Sequence, residues 1–168
     1  EEKRGFNNCA MYKHEFGSPR AFYTTCTFDD IDHFARIMDG SPSVASPDEV
    51  QLFGSHMDHI VLMTKQGMTK MPKYVLYAST AFSPHLNHVE MQAKAEEFYS
   101  AYDEGFGECN RYEHAWGPEL AFYATCGFES YADFATGVNK VMKIFEGRLA
   151  TANLNILNHR DDILVKVM

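Results

Sequence analysis

The stretch that decides the fold is Gly105–Ala135, GFGECNRYEHAWGPELAFYATCGFESYADFA, because it repeats Gly5–Ala35, GFNNCAMYKHEFGSPRAFYTTCTFDDIDHFA, without a gap. Fourteen of the 31 aligned positions are identical, among them Cys9/Cys109, Tyr12/Tyr112, His14/His114, Tyr23/Tyr123 and Cys26/Cys126. Identity at that density marks two copies of one unit at a period of one hundred residues. The repeat therefore speaks first to architecture and only then to chemistry.

Working outward, the second copy reads as complete. Tyr74–Ala81 is rich in β-formers and predicts a strand. Ser83 and Pro84 suggest a helix start, and Met91, Ala95, Phe98 and Tyr102 form one apolar stripe on a helix ending near Gly105. Strands follow at Cys109–Trp116 and Leu120–Phe128, joined at Gly117–Pro118. Ser130 caps a second helix with the stripe Tyr131, Phe134, Ala135, Val138, Met142 and Phe145, stopped by Gly147. A last strand is expected near Ala152–Leu157. The order is β-α-β-β-α-β, the split βαβ pattern of ferredoxin-like folds.

The first copy supplies strands at Cys9–Phe16 and Ala21–Phe28, a helix over Ile31–Met38 and a strand near Met57–Met63, after the turn-rich loop Gly40–Pro47. Its counterparts of the opening strand and most of the first helix would lie before Glu1. The expected division is residues 1–70 for this shortened repeat and 71–168 for the complete one plus a C-terminal strand. Ile163–Met168 is the candidate to fill the missing place. The fold class is α+β: tandem ferredoxin-like repeats with antiparallel sheets packed face to face.

A two-residue turn at Gly117–Pro118 pairs Trp116 with Glu119, and so Tyr112 with Tyr123 and Asn110 with Thr125. One face then carries His114, Tyr112 and Tyr123, and the other Phe122, Ala124, Cys126 and Phe128. The first copy divides likewise, with Tyr12, His14 and Tyr23 against Phe22, Thr24, Cys26 and Phe28. A face of Tyr, His, Asn and Thr suits a partly wet cavity between sheets better than a dry core. The same register sets Cys109 opposite Cys126 and Cys9 near Cys26. The preferred reading is four free buried thiols, with a cross-strand disulfide as the alternative.

The segment GF…ECNRYEHAWGPELAFYATCGFESYADFATGVNKV resembles the dimeric α/β-barrel superfamily, in particular its antibiotic-biosynthesis-monooxygenase-like and stress-responsive families. The matching elements are Gly105–Phe106 after the first helix, the strand ending in Phe128, and Phe128-Glu129-Ser130 leading into a helix with Phe134 one turn on. The resemblance implies two sheets meeting in a barrel and a small-molecule ligand between them, with a cofactor-independent oxygenase or isomerase acting on an aromatic or polyketide-like substrate as the first enzymatic reading. A non-catalytic barrel with a filled interior is the alternative. The chain departs from the family's Asn, Trp and His pattern: Tyr74–Tyr77 offers no Asn, and Trp116 has Phe16 as its counterpart.

His14 and His114 are the catalytic candidates, since imidazole titrates near neutrality and both fall on the cavity face. A structural histidine inherited by both halves explains them equally simply, and carries the greater weight. Tyr12, Tyr23, Tyr112, Tyr123, His59 and Asn155 are the candidate ligand-binding residues, His59 aligning roughly with Asn155. His56, Asp58 and His59 split across two faces of a strand, so no metal site is expected there. His85 and His88 have a helical i, i+3 spacing but lack further ligands. Neither a phosphate loop nor a nucleophile elbow occurs. No cofactor is expected.

Composition narrows the partners. A net charge of −8 with no Lys/Arg run argues against nucleic acid, and the short apolar runs argue against a membrane span. The absence of a secretion-type segment leans toward a cytoplasmic location, and association into homo-oligomers is the remaining partner expectation.

Overall fold

The computed structural model describes residues 5–16, 21–40, 57–107, 109–117, 120–149 and 154–167. Within them the elements run β1 (Asn7–His14), β2 (Phe22–Thr27), α1 (Ile31–Gly40), β3 (Ile60–Lys65), β4 (Tyr74–Phe82), α2 (His88–Phe106), β5 (Cys109–Trp116), β6 (Phe122–Phe128), α3 (Tyr131–Leu149) and β7 (Ile156–Lys166). The loop expected at Gly40–Pro47, the Pro118 turn and His56 lie largely or wholly outside the described residues.

All seven strands join one antiparallel sheet in the order β2-β1-β7-β4-β6-β5-β3, where two facing sheets were expected. The join is β7, which pairs with β4 along its length and with β1 at its C-terminal end, Leu164 facing both Val75 and His14. Ile163–Lys166 is therefore part of the last strand and lies beside β1, on the side away from β2. It does not form a separate strand; the final strand runs Ile156–Lys166, and Ala152, where it was expected to begin, lies outside the described residues. The sheet curls strongly. Three strand spacings, roughly 14 Å along the sheet, separate β2 from β4, yet the Tyr23 and Tyr77 rings lie 5.9 Å apart.

The two hairpins share a register: Tyr12 faces Tyr23, and Tyr112 faces Tyr123. Cys109 faces Cys126 and is bonded to it, and Cys9 is bonded to Cys26. The free-thiol reading is thus corrected. Opposed cysteines on adjacent antiparallel strands bring their Cβ atoms within bonding reach, and no free cysteine is left.

On the convex side α2 and α3 lie against β4, β5 and β6. Met91, Ala95, Phe98 and Tyr102 are buried as their spacing predicts. The helix begins later than Ser83 because Asn87 and Glu90 form a reciprocal capping box, with amide-to-side-chain distances of 3.0 and 2.8 Å. Ser130 caps α3 as expected, its hydroxyl accepting from the Asp133 amide. The buried face of α3 is rotated from the expected stripe: Gly137 and Val141 are buried, while Ala135 and Met142 face solvent. Close approach to α2 explains this, since a Cβ on Gly105 would meet Val141 and one on Gly137 would meet Phe106.

Coverage of the two hairpins differs. Phe122 is 7% exposed beneath α2, while its counterpart Phe22 is 65% exposed. Phe22 was expected to pack under a helix. Among the described residues α1 reaches only the far end of that hairpin, where Phe34 meets Phe28 at 5.2 Å. No helix of the described chain is long and apolar enough to cross a membrane.

Candidate functional site on the concave face

Strand alternation sends Tyr12, His14, Tyr23, Tyr112, His114 and Tyr123 to the face opposite the helices, the concave side of the curl. Tyr23, Tyr77 and Tyr123 run across it in ring contact, at 5.9 and 6.0 Å. One end is filled. Tyr12 packs with Ala10, Val75 and Leu164 and donates to the Met71 sulfur. The amides of Gly67 and Met68 donate to the side-chain oxygen of Asn110, whose own amide donates to the Tyr112 hydroxyl. The β3–β4 connection therefore plugs that end of the concavity. Burial, and after it the neighbouring Tyr112, pushes the Tyr12 phenol above its ordinary value.

His14 is held tightly. Its Nε2 lies 2.9 Å from Asp162 Oδ1, with both side chains nearly excluded from solvent. Asp162 also accepts from the Tyr23 hydroxyl at 3.3 Å and from Arg160 Nε at 2.7 Å, and Arg160 donates in addition to the Tyr23 oxygen. Every charge in this group has a partner. Burial, then the Asp162 carboxylate, raises the Tyr23 pKa.

His114 sits differently. Its backbone amide donates to Ala121, but its side-chain Nδ1 is buried with no hydrogen-bond partner among the described residues. An orphaned polar atom of this kind costs about 1–3 kcal/mol. His59 approaches from the residue just before edge strand β3, its Nδ1 3.5 Å from the Tyr123 hydroxyl and its ring edge-on to Tyr123. His59 and Trp116 are both exposed, so the concavity opens toward solvent at this end.

The structure thus gathers Tyr12, His14, Tyr23, His59, Tyr112, His114 and Tyr123 on one surface. Asn155 stands apart from the strand ladder, just before β7, with φ 52° and its carbonyl accepting the Ser83 amide. Sequence reasoning missed Asp162, Arg160 and Tyr77. The i, i+2 spacing of Arg160 and Asp162 was the available signal, hidden because the expected strand ended at Leu157. His85 and His88 do not share a helical turn: His85 precedes the Asn87 cap, and His88 lies 3.7 Å from Glu113. No cluster of three metal-ligating side chains occurs among the described residues.

On the convex side, Thr80 Oγ1, His159 and Asp161 line up like a hydroxyl–imidazole–carboxylate relay, at 2.8 and 3.1 Å. Thr80 is 1% exposed and its oxygen is shared with the Tyr99 hydroxyl, so no substrate reaches it. A cleft of about 310 Å³ bounded by Gly105, Phe106, Gly127, Phe128 and Gly137 carries none of the repeated His or Tyr.

No protein-family model matches the chain, and no curated protein is similar in sequence. Among solved structures, the fold is similar to that of a protein of Fusobacterium nucleatum subsp. nucleatum named "putative monooxygenase", with a TM-score of 0.60 and 10% identity, covering 98% of this chain and 79% of the other. At that identity the likeness is one of fold.

Proposed function

We propose that the chain is a small-molecule-binding protein of the α/β-barrel type, built as two related units over residues 1–70 and 71–168, with its ligand seated against the concave tyrosine–histidine face. The observation that carries this reading is the Nδ1 of His114, buried and without a partner among the described residues, beside an exposed edge. A polar atom left unsatisfied in an otherwise satisfied surface is the kind of group a ligand completes. The fold likeness to a protein named "putative monooxygenase" supports, at the level of fold, the monooxygenase-like form of this reading, and the reaction we propose is that of a cofactor-independent oxygenase or isomerase acting on an aromatic or polyketide-like substrate. In that reaction His114 is the general base and His14 a positioning residue fixed by Asp162.

Native mass spectrometry of the purified protein tests the binding reading: a co-purifying small molecule that His114→Ala no longer retains is the expected result. For the enzymatic reading, His114→Ala abolishes turnover of a substrate found by screening while Tm changes little. Equal loss of both makes His114 structural. A filled, non-catalytic interior is the second reading, favoured by the buried Tyr12 end of the concavity. It predicts that no small molecule is retained.

A further inference from the structure

The two halves carry the same tyrosine and histidine but complete them differently. In the first, the Tyr23 hydroxyl meets Asp162, and Asp162 meets His14 at 2.9 Å. Asp162 lies two residues before Leu164, the β7 residue that faces His14. In the second, Val61 is the β3 residue that faces His114, and His59 stands before it, beyond the bulge between Ile60 and Val61. The Tyr123 hydroxyl meets His59 as Tyr23 meets Asp162. His59 therefore takes on Tyr123 the contact that Asp162 makes on Tyr23. The first trio is Tyr–Asp–His, closed by an internal carboxylate on Nε2 of His14; the second is Tyr–His–His, and among the described residues no carboxylate meets it and Nδ1 of His114 is buried without a hydrogen-bond partner.

We infer that the second trio is a recognition site for a small carboxylate, whose oxygens take on the Tyr123 hydroxyl the place that Asp162 takes on that of Tyr23 and answer the buried Nδ1 of His114. This rests on the small-molecule reading and names the ligand's polar end. A carboxylate accepts hydrogen bonds only, and here it meets the Tyr123 phenol and the imidazole N–H of His114, which donate to it. His59 is the group that yields: it is exposed, stands just before the edge strand β3, and reaches Tyr123 only at 3.5 Å. The tyrosine rings of Tyr77 and Tyr123 beside it suit a planar body behind the carboxylate.

Two substitutions at one exposed position separate the possibilities. Benzoate titrated into the whole protein, followed by calorimetry and by the histidine ring signals in NMR, is expected to bind and to shift His114. His59→Asp supplies the missing carboxylate from the chain itself and is expected to weaken benzoate binding by at least about tenfold, while His59→Ala clears the seat and retains or strengthens it. Benzamide, of the same shape without the charge, binds at least about tenfold more weakly than benzoate. Equal binding of benzoate and benzamide, or unchanged benzoate binding in His59→Asp, overturns the carboxylate inference and leaves the small-molecule reading standing. Absence of binding by either probe, with a ligand still co-purifying and lost in His114→Ala, overturns the carboxylate inference alone. If nothing co-purifies as well, both fall.

Discussion

His14 and His114 hold corresponding places in two hairpins of the same register, yet their surroundings make them energetically unlike. Removing His14 takes one partner from the nearly solvent-free Asp162, whereas removing Asp162 deprives His14, Tyr23 and Arg160 together. Asp162→Ala is therefore expected to cost about 2–3 kcal/mol in urea unfolding, because several hydrogen-bonding groups lose their shared partner. His114→Ala, which deletes an atom that already lacks a partner, costs about 1 kcal/mol or less. Similar losses at the two sites would contradict this difference. Buried tyrosines set a second residue-scale expectation. Burial pushes the phenols of Tyr99 and Tyr102 upward, and nearby Asp161 acts in the same direction on both. A folded-state pKa above the unfolded value of 10.0 contributes stability that is full below pH 10 and is lost as pH rises through the folded pKa. Spectrophotometric titration of the phenolates is expected to lag in the native protein, and stability to fall steadily above pH 10. A native titration matching that of the unfolded chain would refute it.

At the scale of elements, patterns confined to one hairpin or helix were legible, and those set by packing were not. The Tyr112–Tyr123 register and the two faces of the hairpin followed from strand alternation and a short turn. The buried face of α3 did not, because Gly137 is the contact point and a glycine carries no apolar signal. Gly137→Ala would drive a methyl into the Phe106 ring and is expected to destabilise by about 2 kcal/mol, read as a lowered Tm. A wild-type Tm would show that the helices can part freely. The disulfides also belong to this scale. Cys109 and Cys126 are fully buried beneath α2, whereas Cys9 and Cys26 are only partly covered. Graded reduction followed by alkylation and mass spectrometry is expected to open Cys9–Cys26 first. Simultaneous opening would mean that reduction requires global unfolding.

The whole molecule depends on contacts that no local reading could supply. The interior face was visible in the sequence as a set of residues, since Tyr12, His14, Tyr112 and His114 share one alternation. Which groups answer His14 and the two tyrosines was not visible, because Asp162 arrives from β7 and His59 from just before β3, distant in sequence. The expected pair of facing sheets became one because a single strand, β7, has a partner on each side.

That double pairing has a consequence for how the chain assembles. The β1–β2 hairpin is made before the other described strands, but its one further neighbour among them in the sheet, β7, is made after them all, and Tyr12 and Lys166 must find each other across the intervening strands and helices. An isolated two-stranded hairpin is at best marginally stable in water, and contacts this distant form slowly. The Cys9–Cys26 bond closes a separation of 17 residues, which in the chain-entropy account is worth about 3 kcal/mol. It can act as a latch that keeps the newborn hairpin in register until its partner strand exists.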